Sequence, residues 1–84
     1  MTFEVKWNPN AAKIFSQLSK DVIKNVFKKL DKIKEDPFRY LEHFEGKDFY
    51  KLRFGDYRAL VDVDFHNKVL KIEVFDKRSR VYKK

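Results

Sequence analysis

The spacing of the apolar residues changes twice along the chain, from the alternation of a strand to a helical period and back to alternation. Between residues 9 and 36 they recur three or four positions apart, whereas between residues 50 and 75 they alternate with polar residues. These two periods are typical of amphipathic helices and of half-buried strands. Residues 3–7 form an earlier alternating segment. The pattern predicts an α+β fold with the order β-α-α-β-β-β, in which an N-terminal strand and an αα-hairpin precede an antiparallel β-meander.

Capping residues predict where the two helices begin and end. Asn8 before Pro9 indicates a helix start, since Asn can accept an N-cap hydrogen bond and Pro has a helical φ. This helix should end near Leu18, where Ser19 can cap a second helix over residues 20–35 that Pro37 ends. The apolar face of the second helix comprises Val22, Ile23, Val26, Phe27, Leu30 and Ile33, and its solvated face comprises Lys24, Lys28, Asp31 and Lys32. Residues 38–49 show no period and are predicted to form a connecting loop.

A two-residue turn, Gly55-Asp56, predicts the register of a β-hairpin formed by residues 50–54 and 57–64. Gly at the first loop position favours a type II′ turn. This turn places Arg53 opposite Arg58 and Lys51 on the same face of the sheet. The opposite face should pack on the helices and carries Tyr50, Leu52, Ala59 and Val61. A third strand follows around residues 70–74.

Length and composition restrict the class of protein. Eighty-four residues suit one domain, 1–84. Cysteine is absent, which excludes disulfides and thiolate metal sites, and the two histidines lie 23 positions apart, so we expect no metal and no cofactor. We find no apolar run of membrane-spanning length and no signal-peptide pattern, and we expect a cytoplasmic protein with no membrane partner.

The charge balance favours a polyanionic partner. Twenty Lys and Arg residues against thirteen Asp and Glu residues give a net charge of +7. Like charges directly opposite each other in a sheet are destabilising, so Arg53 facing Arg58 makes more sense around a phosphate than as structure alone. The alternative interpretation is a solvated sheet face on which Asp62 and Asp64 supply the counter-charges.

The hairpin sequence YKLRFGDYR at residues 50–58 resembles the signature hairpin of RelE-type toxins in the RelE/ParE toxin superfamily, Y-K-(L/I)-(R/K)-x-G-x-Y-R. Residues 77–82, KRSRVY, resemble the closing basic segment of that family. The resemblance covers nearly the whole chain and implies a microbial-ribonuclease-like fold. It further implies the toxin of a type II toxin–antitoxin system, an endoribonuclease acting as an mRNA interferase. Cleavage would be metal-free, by attack of a ribose 2′-hydroxyl on its own 3′-phosphate.

The same resemblance implies roles for individual residues. Lys51 would act as general base or as part of a basic pair with Arg53, and Arg58 would stabilise the charged transition state. Arg78 would serve as acid or second phosphate clamp, and Tyr82 would stack on or orient the substrate. Further RNA-binding residues are expected at Lys77, Arg80, Lys83 and Lys84.

The implied partners are a RelB-like antitoxin, in a toxin–antitoxin hetero-oligomer, and the ribosome with its mRNA. Two alternatives stay open from the sequence. One is a ParE-like inhibitor of DNA gyrase, and the other is a nucleic-acid-binding domain with weak or no catalysis.

Overall fold

The computed structural model describes residues 2–43 and 49–77, and these form an α+β protein as predicted. In chain order the elements are β1 (Glu4–Trp7), α1 (Pro9–Ser16), α2 (Lys20–Glu35), a 3₁₀ turn (Pro37–Arg39), β2 (Glu42–His43), β3 (Tyr50–Phe54), β4 (Tyr57–Asp64) and β5 (Val69–Lys77). Within these residues no helix has the length and apolar content that crossing a membrane requires.

The strands of the described residues form one sheet with the order β1-β5-β4-β3-β2. β2 to β5 pair antiparallel with their neighbours, as expected of a meander. β1 instead pairs in parallel with β5, so that Val5 lies opposite Leu70. A parallel pair needs a long connection between its strands, and here the helical hairpin and β2–β4 lie between β1 and β5. The first and last strands of the described residues are thereby neighbours.

The prediction of a connecting loop over residues 38–49 was wrong in part. The 3₁₀ turn Pro37–Arg39 and the short strand β2 occupy part of that segment. In β2, Glu42 pairs with Lys51 and His43 pairs with Tyr50. A strand of two residues is too short to show a period in the sequence, and only its pairing with β3 defines it. Residues 44–48 lie outside the described part of the chain.

The predicted helix caps are confirmed. The Asn8 side chain accepts the backbone N–H of Asn10 at 2.9 Å, and the Ser19 hydroxyl accepts that of Val22 at 3.3 Å. Each bond satisfies one N–H that the first turn of a helix leaves without a partner. α2 ends at Glu35, where predicted, whereas α1 ends at Ser16, slightly earlier than expected. The caps therefore position the hairpin that packs on the sheet.

The core lies between the helices and one face of the sheet. The buried side chains include Ala11, Phe15, Val26, Leu30 and Ile33 from the helices and Leu52, Ala59, Val61, Leu70, Ile72 and Phe75 from the sheet. Burial of one such large apolar side chain stabilises the fold by roughly 1.5–3 kcal/mol. Trp7 stacks on Phe15 with ring centroids 4.7 Å apart, at the edge of this core. Phe27, predicted on the same apolar face, is 52% exposed and meets Phe15 edge-on.

Candidate functional site

The β3–β4 hairpin carries the predicted cations in the predicted register. Gly55 has φ of 64°, whereas Asp56 is not among the residues of positive φ, and this combination is the one that a type II′ turn requires. Arg53 lies opposite Arg58, and Leu52 lies opposite Ala59. Since Leu52 and Ala59 are buried under the helices, the arginines occupy the other face of the sheet.

The row of charges on this face extends onto the neighbouring strands. On β5, Asp76 lies opposite Arg58, and on β2, Glu42 lies opposite Lys51. Directly opposed residues in a sheet point to the same face. We call Lys51, Arg53 and Arg58 the cation cluster. An acidic residue therefore lies on each side of it, one on β2 and one on β5.

Glu42 is bound to two members of the cation cluster. Its Oε1 lies 3.2 Å from Nε of Arg53, and its Oε2 lies 3.4 Å from Nη2 of the same guanidinium. The second oxygen is also 3.8 Å from Nζ of Lys51. The carboxylate thus takes the forked position on a guanidinium that a phosphate also takes.

Glu42 therefore supplies a counter-charge that the alternative interpretation assigned to Asp62 and Asp64. Asp62 lies opposite Lys71 on β5. Asp64 accepts the backbone N–H of Asn67 at 3.0 Å and its side-chain amide at 2.8 Å, and these bonds lower the pKa of Asp64. Sequence reasoning missed Glu42, because the only signal for its position is the pairing of β2 with β3.

The guanidinium of Arg58 is folded back onto the hairpin. Its Nη1 donates to the carbonyl oxygen of Gly55 at 2.5 Å and to that of Tyr57 at 2.8 Å. The negative ends of these carbonyl dipoles stabilise the guanidinium charge and so offset its repulsion from Arg53. The turn therefore fixes the orientation of the planar Arg58 guanidinium at the side of the cation cluster.

The cluster is accessible to a ligand. The side chain of Arg53 is 61% exposed, that of Glu42 is 43% exposed and that of Lys51 is 28% exposed. Ion pairs at such exposure contribute little to stability, about 0–1 kcal/mol. A phosphodiester can therefore compete with Glu42 for the cations at small cost in folding free energy.

Lys29 on α2 ties the hairpin to the helical layer. Its Nζ donates to the backbone carbonyl of Arg53 and lies 5.7 Å from the ring centroid of Phe54. The Lys29 side chain also covers part of the edge of β3, at residues that do not pair with the short strand β2. The strand that carries Arg53 is thereby fixed against the core.

The remaining predicted site residues lie at the end of the chain. Lys77 is the exposed last residue of β5, opposite Tyr57, and its N–H donates to Oδ1 of Asp76 at 2.8 Å. Five predicted residues lie outside the described residues: Arg78, Arg80, Tyr82, Lys83 and Lys84. The structure thus brings together the hairpin part of the predicted site.

Comparison with known proteins relates this architecture to toxins. The sequence model of the ParE toxin of type II toxin–antitoxin systems, parDE, matches residues 4–82. No significant match is found among curated protein sequences.

Solved structures of RelE toxins are also similar to the chain. The archaeal RelE–RelB complex of Pyrococcus horikoshii OT3 aligns with TM-score 0.77 and 27% identity, over 96% of this chain and 100% of that chain. The intact RelBE toxin–antitoxin complex of E. coli aligns with TM-score 0.76 and 25% identity, over 93% and 99%. The RelBE2 complex of Mycobacterium tuberculosis has TM-score 0.80 at 20% identity, over 93% and 100%, and supports the fold. With a family match over residues 4–82 and the RelE fold, the chain belongs to the ParE toxin family of type II toxin–antitoxin systems, within the RelE/ParE superfamily.

Proposed function

We propose that this toxin is an endoribonuclease that cleaves mRNA on the ribosome and so inhibits translation in the cytoplasm. The observation that carries the proposal is the cation cluster of Lys51, Arg53 and Arg58 on the β3–β4 hairpin, in which Arg53 is exposed and Lys51 and Arg58 are half-buried. The similarity to RelE structures at 25–27% identity supports the same reading. A cluster of this kind is suited to a phosphodiester, whose charge grows in the transition state.

The proposed chemistry is attack of a ribose 2′-hydroxyl on the adjacent 3′-phosphate. Arg53 and Arg58 bind the non-bridging oxygens and stabilise the charge that develops there. Because these cations supply positive charge, the reaction is proposed to need no metal or cofactor, so excess EDTA should leave the cutting of an isolated RNA fragment unchanged. Arg78 and Tyr82 complete the proposed site as second clamp and stacking residue. Lys77, Arg80, Lys83 and Lys84 are proposed to bind the RNA backbone.

The ribosome is proposed as the partner that aligns the substrate. In-line attack requires the 2′-oxygen, the phosphorus and the leaving oxygen to lie on one line, and free RNA samples this geometry rarely. Orientation of reacting groups can contribute roughly 7–11 kcal/mol to catalysis. We therefore expect the protein alone to be a weak nuclease on naked RNA.

An antitoxin is proposed to hold the toxin inactive. The similar structures of P. horikoshii and E. coli are complexes of RelE with RelB. For this chain we propose a RelB-like antitoxin in a hetero-oligomer, with an acidic segment that complements the net charge of +7. Copurification with the product of the neighbouring reading frame should give a stable complex in which Arg58 is protected from an arginine-modifying reagent. A complex that leaves Arg58 as reactive as in the free protein would contradict this mode of inhibition.

The second candidate is inhibition of DNA gyrase, which the match to the ParE toxin model favours. A nucleic-acid-binding domain without catalysis is the third. One experiment separates them: the protein is added to translating ribosomes with a defined mRNA and, in parallel, to a gyrase supercoiling assay. We expect cuts within codons by primer extension, almost none in naked mRNA and intact supercoiling.

Matched variants make this experiment specific to the site. Lys51→Ala should abolish cutting, and Lys6→Ala, which removes an exposed lysine from β1, should not. Loss of supercoiling with intact mRNA would establish the ParE-like function instead. If both assays stay unaffected, the cation cluster is a binding surface only.

A further inference from the structure

Attack by a ribose hydroxyl requires a group that accepts its proton. Lysine and arginine side chains carry their full set of protons at neutral pH and in that state can donate but not accept. A site built from the cation cluster alone therefore stabilises charge better than it removes a proton. The structure adds a carboxylate to this cluster, and a carboxylate is a proton acceptor at neutral pH.

We infer that Glu42 is the general base of this site and that Lys51 is its proton donor. The inference rests on the proposed ribonuclease function. Glu42 bridges Arg53 and Lys51, with oxygen–nitrogen distances of 3.2 Å and 3.8 Å. The oxygen that faces Lys51 also accepts from Nη2 of Arg53 at 3.4 Å, but a carboxylate offers about four lone-pair sites and can take a hydroxyl donor as well. Because the side chain is 43% exposed, substrate can reach it.

Asp76 is a poorer base, although it belongs to the same row of charges. It is only 7% exposed, and its Oδ1 already accepts the N–H of Lys77. It also lies beyond Arg58, two strands from Lys51. Glu42 combines exposure with direct contact to the cations that hold the phosphate.

The reaction is then a single displacement. The phosphate binds at Arg53 and Arg58, and its entry separates Glu42 from Lys51, so that these two side chains lie on opposite sides of the phosphorus. Glu42 takes the proton of the 2′-hydroxyl while the 2′-oxygen forms its bond to phosphorus. The bond between phosphorus and the 5′-oxygen of the next nucleotide breaks, and the Lys51 ammonium protonates that oxygen. The products are a 2′,3′-cyclic phosphate and a 5′-hydroxyl, and proton exchange through solvent restores Glu42 and Lys51.

Charged groups surround Glu42 on several strands. Lys51 and Arg53 face it from β3, and its own strand contributes His43. Further along the row, Arg58 projects from β4 and Asp76 from β5. Because Glu42 acts among several cations, a test of its role must separate the rate of cleavage from the binding of RNA.

The test compares Glu42→Gln and Glu42→Asp with Asp62→Asn, which removes the same charge from an exposed position on β4. Cleavage of ribosome-bound mRNA is measured in single turnover. Binding is measured separately, with an mRNA that carries a 2′-deoxynucleotide at the cut site. Urea unfolding confirms that all variants fold.

We expect Glu42→Gln to slow cleavage roughly 10²–10⁴-fold, the range for a general base. Its binding of the 2′-deoxy mRNA should be unchanged or tighter, since a negative charge is gone. Glu42→Asp should retain part of the rate, and Asp62→Asn should behave like wild type.

Three results would overturn the inference. Faster cleavage by Glu42→Gln would show that the carboxylate masks the cations. An unchanged rate would show that it is a bystander, and loss of binding together with rate would show that it positions the cluster. In each of these cases wild-type cleavage stands, and so does the proposed ribonuclease. If wild type itself cuts no mRNA, both proposals fall together.

Discussion

Arg53 and Arg58 lie directly opposite each other across the β3–β4 hairpin, yet their guanidinium groups bind different partners. Arg53 is paired with the carboxylate of Glu42, and Arg58 donates to the carbonyl oxygens of Gly55 and Tyr57. Two facing like charges cost stability in a sheet unless other groups offset them. Each guanidinium is bound by a different partner, which offsets the repulsion between them, and both arginines remain on the same face of the sheet.

Replacing Arg58 should separate function from folding. In Arg58→Ala the two hydrogen bonds to the turn are lost while the repulsion from Arg53 is removed, so the free energy of unfolding should change by no more than about 1 kcal/mol. Cleavage should fall roughly 10²–10³-fold, as for loss of a donor that stabilises transition-state charge. Urea unfolding and primer extension measure the two effects, with the exposed Arg39→Ala as control. Unchanged cleavage by Arg58→Ala would exclude Arg58 from the site.

Lys29 should stabilise the hairpin through its bond to the Arg53 carbonyl. Lys29→Met keeps most of the apolar stem but removes the donor, and should lower the free energy of unfolding by about 1 kcal/mol. Lys28→Met, at an exposed neighbouring position on α2, should have little effect. Equal midpoints for the two variants in urea unfolding would mean that the Lys29 contact contributes nothing.

Residues on the apolar face of α2 should contribute unequally to the free energy of unfolding. Leu30 is 5% exposed in the core, and Leu30→Ala should cost about 2–5 kcal/mol through lost burial and the cavity left behind. Phe27 is 52% exposed, and Phe27→Ala should cost less than about 1 kcal/mol despite the larger side chain. Chemical unfolding of the two variants provides the comparison. Similar losses would place Phe27 in the core, as its position in the sequence pattern predicts.

Asp64 should make the turn between β4 and β5 sensitive to acid. Hydrogen bonds from Asn67 lower its pKa below the ordinary value of 3.8, so the carboxylate contributes stability above that pH and loses it as the pH falls through the folded-state pKa. Asn67→Ala removes the side-chain donor and should be less stable than wild type at pH 7. The difference should shrink below about pH 4. Thermal unfolding from pH 2 to 7 measures it, and a difference that does not depend on pH would contradict the assignment.

Much of the local structure could be predicted because it depends on neighbouring residues. The N-caps Asn8 and Ser19 bind N–H groups two and three positions ahead. The turn at Gly55 defines which residues of β3 and β4 face each other, and the arginine pair follows from that register alone. The pattern did not predict the exposure of Phe27. Helical spacing shows which face of a helix is apolar but not how far the residues that cover that face extend.

The sequence by itself determined the helices, the hairpin register and the cations of the candidate site, because capping, turn geometry and side-chain period act over a few residues. Only the tertiary structure decided that β1 runs parallel to β5 and that Glu42 enters the cation cluster. Both depend on backbone pairing between segments that are separated along the chain. Such pairing is selected by the packing of the whole sheet and leaves no signal in a two-residue strand such as β2.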